Sequence, residues 1–160
     1  MSVSLPITIE PQKQSEWCWA AVTSTVAHYY DATSSWTQCS LANNQLRQTT
    51  CCVTGSSKQC NQPWDLQQSL GLVGRLRIAV ETPALYNGIR QEIDGKHPLC
   101  VRIGWPDGQG HAVVIYGYDN AIGYVFVADP IYGVTQMPYA SFLTHYHGSG
   151  HWTDSYFTEP

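Results

Sequence analysis

Two nearly unbroken apolar runs, Ala112–Tyr118 and Tyr124–Ala128, lie close together in the chain and constrain its fold more than any other feature. Short continuous apolar runs of this kind read as strands buried on both faces, so both belong in the middle of a sheet. Pairing them around Asp119-Asn120-Ala121 makes a hairpin with a three-residue loop, a common length. Tyr118 then faces Ile122. Carried down the strands, that register sets His111 directly opposite Asp129 on one sheet face, their Cβ atoms about 4.5–5.5 Å apart. Nothing in the hydrophobic pattern calls for a His and an Asp there, and a one-residue slip would separate them.

Leu99, Val101, Ile103 and Trp105 alternate as a neighbouring strand, and Gly133–Met137 and Trp152–Thr158 read as weaker ones around a short helix near Tyr139–His145. The first half reads helical. Trp19, Val22, Val26 and Tyr30 keep helix spacing over Cys18–Tyr30, with Ser15-Glu16 as the expected start. Further helices are expected over Leu41–Arg47, from Pro63 to about Leu70, and over Pro83–Asp94 between Thr82 and Gly95. Helices first and antiparallel strands after define an α+β fold in one domain, 1–160, with 1–75 mainly a helical lobe and 76–160 mainly a sheet lobe.

Composition narrows what such a domain can do. Charged residues are only 12% of the chain, net charge is −4, and the eight Lys and Arg form no run. That leaves no phosphate-tracking surface and excludes nucleic acid as the expected partner. The apolar runs are strand-sized and far short of a membrane span. Residues 1–14 lack the charged start and apolar core of a signal peptide, so the expectation is either a mature or excised domain, or a protein secreted or delivered to a target cell by a route without an N-terminal signal peptide.

Cys39, Cys51, Cys52 and Cys60 cluster in a polar segment, as disulfide staples do. A zinc site is the competing reading, weakened by the missing pair of short Cys-x2–4-Cys knuckles. Of the three possible pairings, the vicinal Cys51–Cys52 bridge is strained, leaving each outer cysteine bonded to one inner one. Cys100 lies in a strand and reads as a plain buried thiol. His145, His147 and His151 lack a local acid or cysteine to complete a metal site. No metal or cofactor is expected.

Cys18 is different, because Trp17-Cys18-Trp19-Ala20-Ala21 opens a helix. The helix dipole and unpaired N–H groups at such a position favour thiolate, the nucleophilic form. The His111–Asp129 pair supplies what such a thiol needs, a carboxylate accepting from one imidazole nitrogen and the other nitrogen left for the sulfur, and the set reads as that of a thiol hydrolase.

These residues resemble the papain-like cysteine peptidases, in the compact bacterial branch of AvrRpt2-type effector proteases and staphopain-related enzymes. The resemblance spans Gln12, Cys18-Trp19-Ala20, Cys39, Cys51-Cys52, Cys60-Asn61-Gln62-Pro63, Gly110-His111-Ala112 and Ala128-Asp129-Pro130. It implies a helical lobe facing a β lobe across an active-site cleft. In the implied roles Cys18 is the nucleophile, His111 the general base and acid, and Asp129 the residue that orients His111. Gln12 and the Cys18 N–H are the implied oxyanion donors. Trp17 departs from the small residue many relatives carry, the Cys-Gly-Ser-Cys-Trp signature is absent, and Asp129 stands where papain has Asn. The implied activity is a cysteine endopeptidase acting on a polypeptide, as a bacterial effector or toxin domain with an inhibitor or immunity protein as partner. An acyltransferase or deamidase would use the same triad, and a disulfide-stapled binding module with a silent thiol is the alternative from another class.

Overall fold

The computed structural model describes residues 1–160 and contains five helices and one seven-stranded antiparallel sheet. In chain order the elements are β1 (Ser2–Ser4), α1 (Cys18–Tyr30), α2 (Gln38–Leu46), α3 (Leu66–Leu72), β2 (Leu76–Val80) and α4 (Tyr86–Asp94). Then come β3 (Leu99–Gly104), β4 (Gly110–Asp119), β5 (Tyr124–Asp129), β6 (Gly133–Pro138), α5 (Tyr139–Thr144) and β7 (His151–Thr158). The strands run in the order β2-β7-β3-β4-β5-β6, and β1 pairs with the far end of β4. The fold is α+β, as the sequence pattern predicts.

A core lies on each face of the sheet. Ala112, Val114, Ala128, Cys100 and Tyr156 face α1, α2 and α3. Val101, Ile103, Val113, Ile115 and Val127 face α4 and α5. Helix α1 is buried all round from Trp19 to Ala27, which is why its apolar residues form no single stripe. Its polar members are satisfied internally: Thr23 Oγ1 donates to Trp19 O at 2.7 Å, and Ser24 Oγ donates to Glu10 Oε2 at 2.7 Å. The start of α1 differs from expectation: Trp17 is the N-cap and makes no side-chain cap bond. Helix α2 begins earlier than expected because Thr37 and Ser40 form a reciprocal capping box. Asp65 caps α3 by accepting from Gln67 N at 2.8 Å.

The β4–β5 hairpin corrects the expected register. Asp119 pairs with Tyr124 and Gly117 with Phe126, so the connection is longer by one residue than the three-residue loop. Between Gly117 and Ile115 the register shifts, because Tyr116 is an extra residue in β4. Its carbonyl accepts from Leu5 N at 2.8 Å, which satisfies what the ladder leaves free. Beyond the bulge Val114 pairs with Ala128, so Asp129 falls beside Val113 and diagonal to His111. The bulge restores the shared face that a plain ladder would have lost. Gly117 is required beside it: a Cβ there would meet Val3 O and Phe126 Cδ2, each at 2.6 Å.

Candidate active site

Cys18 is the first residue of α1 and half-buried, with its sulfur free. The segment after the last cysteine of the cluster grips it from both sides. Trp17 Nε1 donates to Cys60 O at 2.8 Å and Trp19 Nε1 donates to Gln62 O at 2.9 Å. Glu16 N donates to Asn61 Oδ1 at 2.9 Å, and Asn61 Nδ2 donates to Ser15 Oγ at 2.8 Å. Two disulfides anchor that loop, Cys39–Cys52 and Cys51–Cys60, each joining an outer cysteine to an inner one. The four sulfurs are thereby spent, which removes the zinc reading. No group of three His, Cys, Asp or Glu side chains converges on a metal-sized site elsewhere.

His111 lies one residue into β4, paired with Ile103 of β3 and almost fully buried. Trp105 stacks on its ring at 6.5 Å between centroids, and Tyr132 meets it edge-on at 6.5 Å. His111 Nε2 donates to Asp129 Oδ1 at 2.9 Å, leaving Nδ1 for the Cys18 thiol. Burial alone would depress the imidazole pKa, but the hydrogen bonds and negative charges of Asp129 and Cys18 win, lifting it from 6.5 to about 9. The ring therefore keeps its proton at neutral pH.

Asp129 ends β5 and is sealed from solvent. Its Oδ1 also accepts from Ile131 N at 2.7 Å and Tyr132 N at 3.1 Å, while Oδ2 accepts from Tyr146 Oη at 2.6 Å. Burial would raise its pKa, but the His111, Tyr146 and Ile131 donors hold it below the ordinary carboxylate value.

The structure thus brings Cys18, His111 and Asp129 together. Gln12 sits at their edge, its N–H donating to Pro130 O at 3.0 Å next to Asp129. Its Nε2 donates to Gln14 O at 3.0 Å and Ser15 O at 2.8 Å, clamping the segment that leads into α1. Its Oε1 is buried without a partner. Trp105, expected as the last residue of the alternating strand, lies just past β3 and completes the surroundings with Tyr132 and Tyr146; the two tyrosines had no sequence signal, since each comes from a turn whose position only the tertiary fold fixes.

Cys18 and His111 open into a cleft of about 1200 Å³. One wall is Asn61–Gln67 and the start of α1; the other comes from Ala79–Glu81 and strands β3, β4 and β7. Glu16, Asp65, Glu81 and Asp154 line it with one arginine, Arg102, whose Nη1 donates to Thr153 Oγ1 at 3.0 Å. Burial and the charges of Asp154 and Asp65 push the Tyr156 hydroxyl pKa up.

Solved structures share this fold. Xylellain, a cysteine protease from Xylella fastidiosa, superposes with a TM-score of 0.58 at 12% identity, over 99% of this chain and 86% of that one. The peptidase domain of Streptococcus mutans ComA gives 0.55 at 17% identity, over 95% and 98%. A double glycine motif protease from an AMS/PCAT transporter, solved with its leader peptide, gives 0.54 at 19% identity, over 99% and 95%. No curated protein sequence matches the chain significantly. No helix is long and apolar enough to cross a membrane. The sequence family described as papain-like cysteine protease AvrRpt2 matches residues 1–147, a span that includes Gln12, Cys18, His111, Asp129 and Tyr146, and the chain belongs to that family of papain-like cysteine proteases.

Proposed function

We propose that the chain is a cysteine endopeptidase that cuts a polypeptide through an acyl-enzyme on Cys18. The observation that carries this reading is the aim of His111, whose Nε2 is committed to Asp129 and whose Nδ1 is left for the sulfur. The thiolate adds to the scissile carbonyl carbon, and the electron pair moves onto oxygen. The Cys18 N–H and the Gln12 amide are the donors assigned to that oxyanion, which requires one Gln12 amide hydrogen to leave Gln14 or Ser15. As the carbonyl re-forms, the C–N bond breaks and the proton on His111 Nδ1 passes to the leaving amine. Water then returns a proton to Nδ1 while its oxygen attacks the thioester. Collapse releases the acid and the thiolate. Asp129 keeps the imidazole in one tautomer throughout.

A polypeptide substrate fits the open cleft, and the transporter protease of the same fold was solved with a leader peptide. Two disulfides suit an oxidising compartment, which supports a secreted or delivered effector or toxin domain with an inhibitor or immunity protein as its natural partner. Proteome-wide profiling of new N-termini with wild type and Cys18→Ala tests the reading. New termini should appear with wild type alone. Acylated or deamidated products without cleavage would instead assign a transferase or deamidase, and identical samples would leave a silent binding module.

A further inference from the structure

Asp129 Oδ2 faces the hydroxyl of Tyr146 and no other donor, although the carboxylate is 1% exposed. A buried carboxylate oxygen without a donor would carry its full desolvation cost. The bond is short, 2.6 Å, as expected for a hydroxyl donating to an ionised carboxylate. Tyr146 is itself 1% exposed, and its ring is fixed edge-on by Phe142 at 5.3 Å and His147 at 4.7 Å. Paired N–H···O bonds of 2.9 and 2.8 Å between Tyr146 and Gly150 close its turn. Gly150 has no substitute there: a Cβ would meet Trp105 Cζ3 at 2.5 Å and Ile103 Cγ2 at 2.7 Å. Trp105 is the ring stacked on His111, so one turn braces the carboxylate through Tyr146 and the imidazole through Trp105.

We propose that Tyr146 is a positioning residue of this site, donating to Asp129 Oδ2 so that the carboxylate stays ionised with Oδ1 aimed at His111. The inference rests on the assignment of Cys18, His111 and Asp129 as a working triad. The titratable groups around the pair are His111 on β4, Cys18 on α1 beyond it, and Tyr132 and His147 in the flanking turns.

The test needs no substrate. The rate of Cys18 alkylation by iodoacetamide is measured against pH for wild type, Tyr146→Phe, Asp129→Ala and the double variant, with melting curves for each. Tyr146→Phe keeps the ring and its packing. It should move the acid limb of the alkylation profile up by about one pH unit, the size expected for one hydrogen bond to a charge. In the Asp129→Ala background Tyr146→Phe should change nothing further. An unmoved limb, or an equal shift in both backgrounds, overturns the proposal. Should Tyr146→Phe fail to fold, the wild-type protein still decides. Its Tyr146 hydroxyl proton should appear as a slowly exchanging downfield NMR signal that is lost in Asp129→Ala, and absence of that signal overturns the proposal equally. Failure of the peptidase reading looks different: the alkylation profiles behave as stated while no polypeptide is cut.

Discussion

Removing the Cys51–Cys60 bridge should disable the site by more than it destabilises the fold. In the double variant Cys51→Ala/Cys60→Ala the lost cross-link spans nine residues, and the chain-entropy relation assigns it about 2.6 kcal/mol at 25 °C. For a domain of this size that lowers the melting temperature by about 5–10 °C. Cys39→Ala/Cys52→Ala removes a bridge spanning thirteen residues, worth about 2.9 kcal/mol by the same relation, so the two variants should melt within a few degrees of each other. Their activities should diverge. Cys60 O takes the Trp17 indole N–H, and the residues that follow hold Glu16 and Trp19, so loosening residue 60 frees both sides of Cys18. The Cys39–Cys52 bridge instead ties the loop to the partly exposed start of α2. Iodoacetamide labelling of Cys18 and turnover of a cleaved peptide, both read well below the melting range, measure the difference. Equal losses in the two variants would refute the idea that the loop positions the nucleophile.

The raised pKa of His111 fixes a pH window: its contribution to stability is complete below about 6.5 and is lost as pH rises through about 9, where kcat/KM should also show its basic limb. Asp129 works in the opposite sense, its contribution present above the ordinary carboxylate range and lost as pH falls through its depressed native value; melting temperature against pH checks both. Gln12→Ala should slow the chemical step by about 10²–10³-fold while alkylation of Cys18 continues, and parallel loss of both would make the clamp on Gln14 and Ser15 its main role. Mass spectrometry after iodoacetamide treatment of the folded protein should find Cys18 labelled and Cys100 untouched, since burial pushes the Cys100 thiol pKa far up.

Residue patterns carry α1 and β3–β5 because those elements are long, periodic or continuously apolar, and burial rewards that pattern directly. Strand β1 has three residues, and β2 is a half-exposed edge in which a register shift breaks the alternation, so neither announces itself. The expected N-terminus of the helix after Thr82 fails for a related reason: α4 begins at Tyr86 with Leu85 as an uncapped lead-in. The hairpin is the instructive case. His111 and Asp129 do meet, but diagonally, because one residue more in the loop and one more at Tyr116 combine to preserve the face. Residue types pointed to the pair; the spacing that joins them depends on β1 docking against Gly117. Tyr146 could not be read at all, since its partner lies on another element and its turn carries no motif.

The extra residue at Tyr116 makes this region unequally tolerant of changes in length. Residues 120–123 form an exposed tip, where added residues merely lengthen a loop. A deletion at Tyr116 would erase the bulge, and every residue of β4 below it would turn over relative to β5. Val113 and Ile115 would exchange places with Ala112 and Val114 between the two cores, and His111 would look away from Asp129. Libraries that vary chain length across 110–129 should therefore recover functional members with altered tips and none lacking the residue at 116.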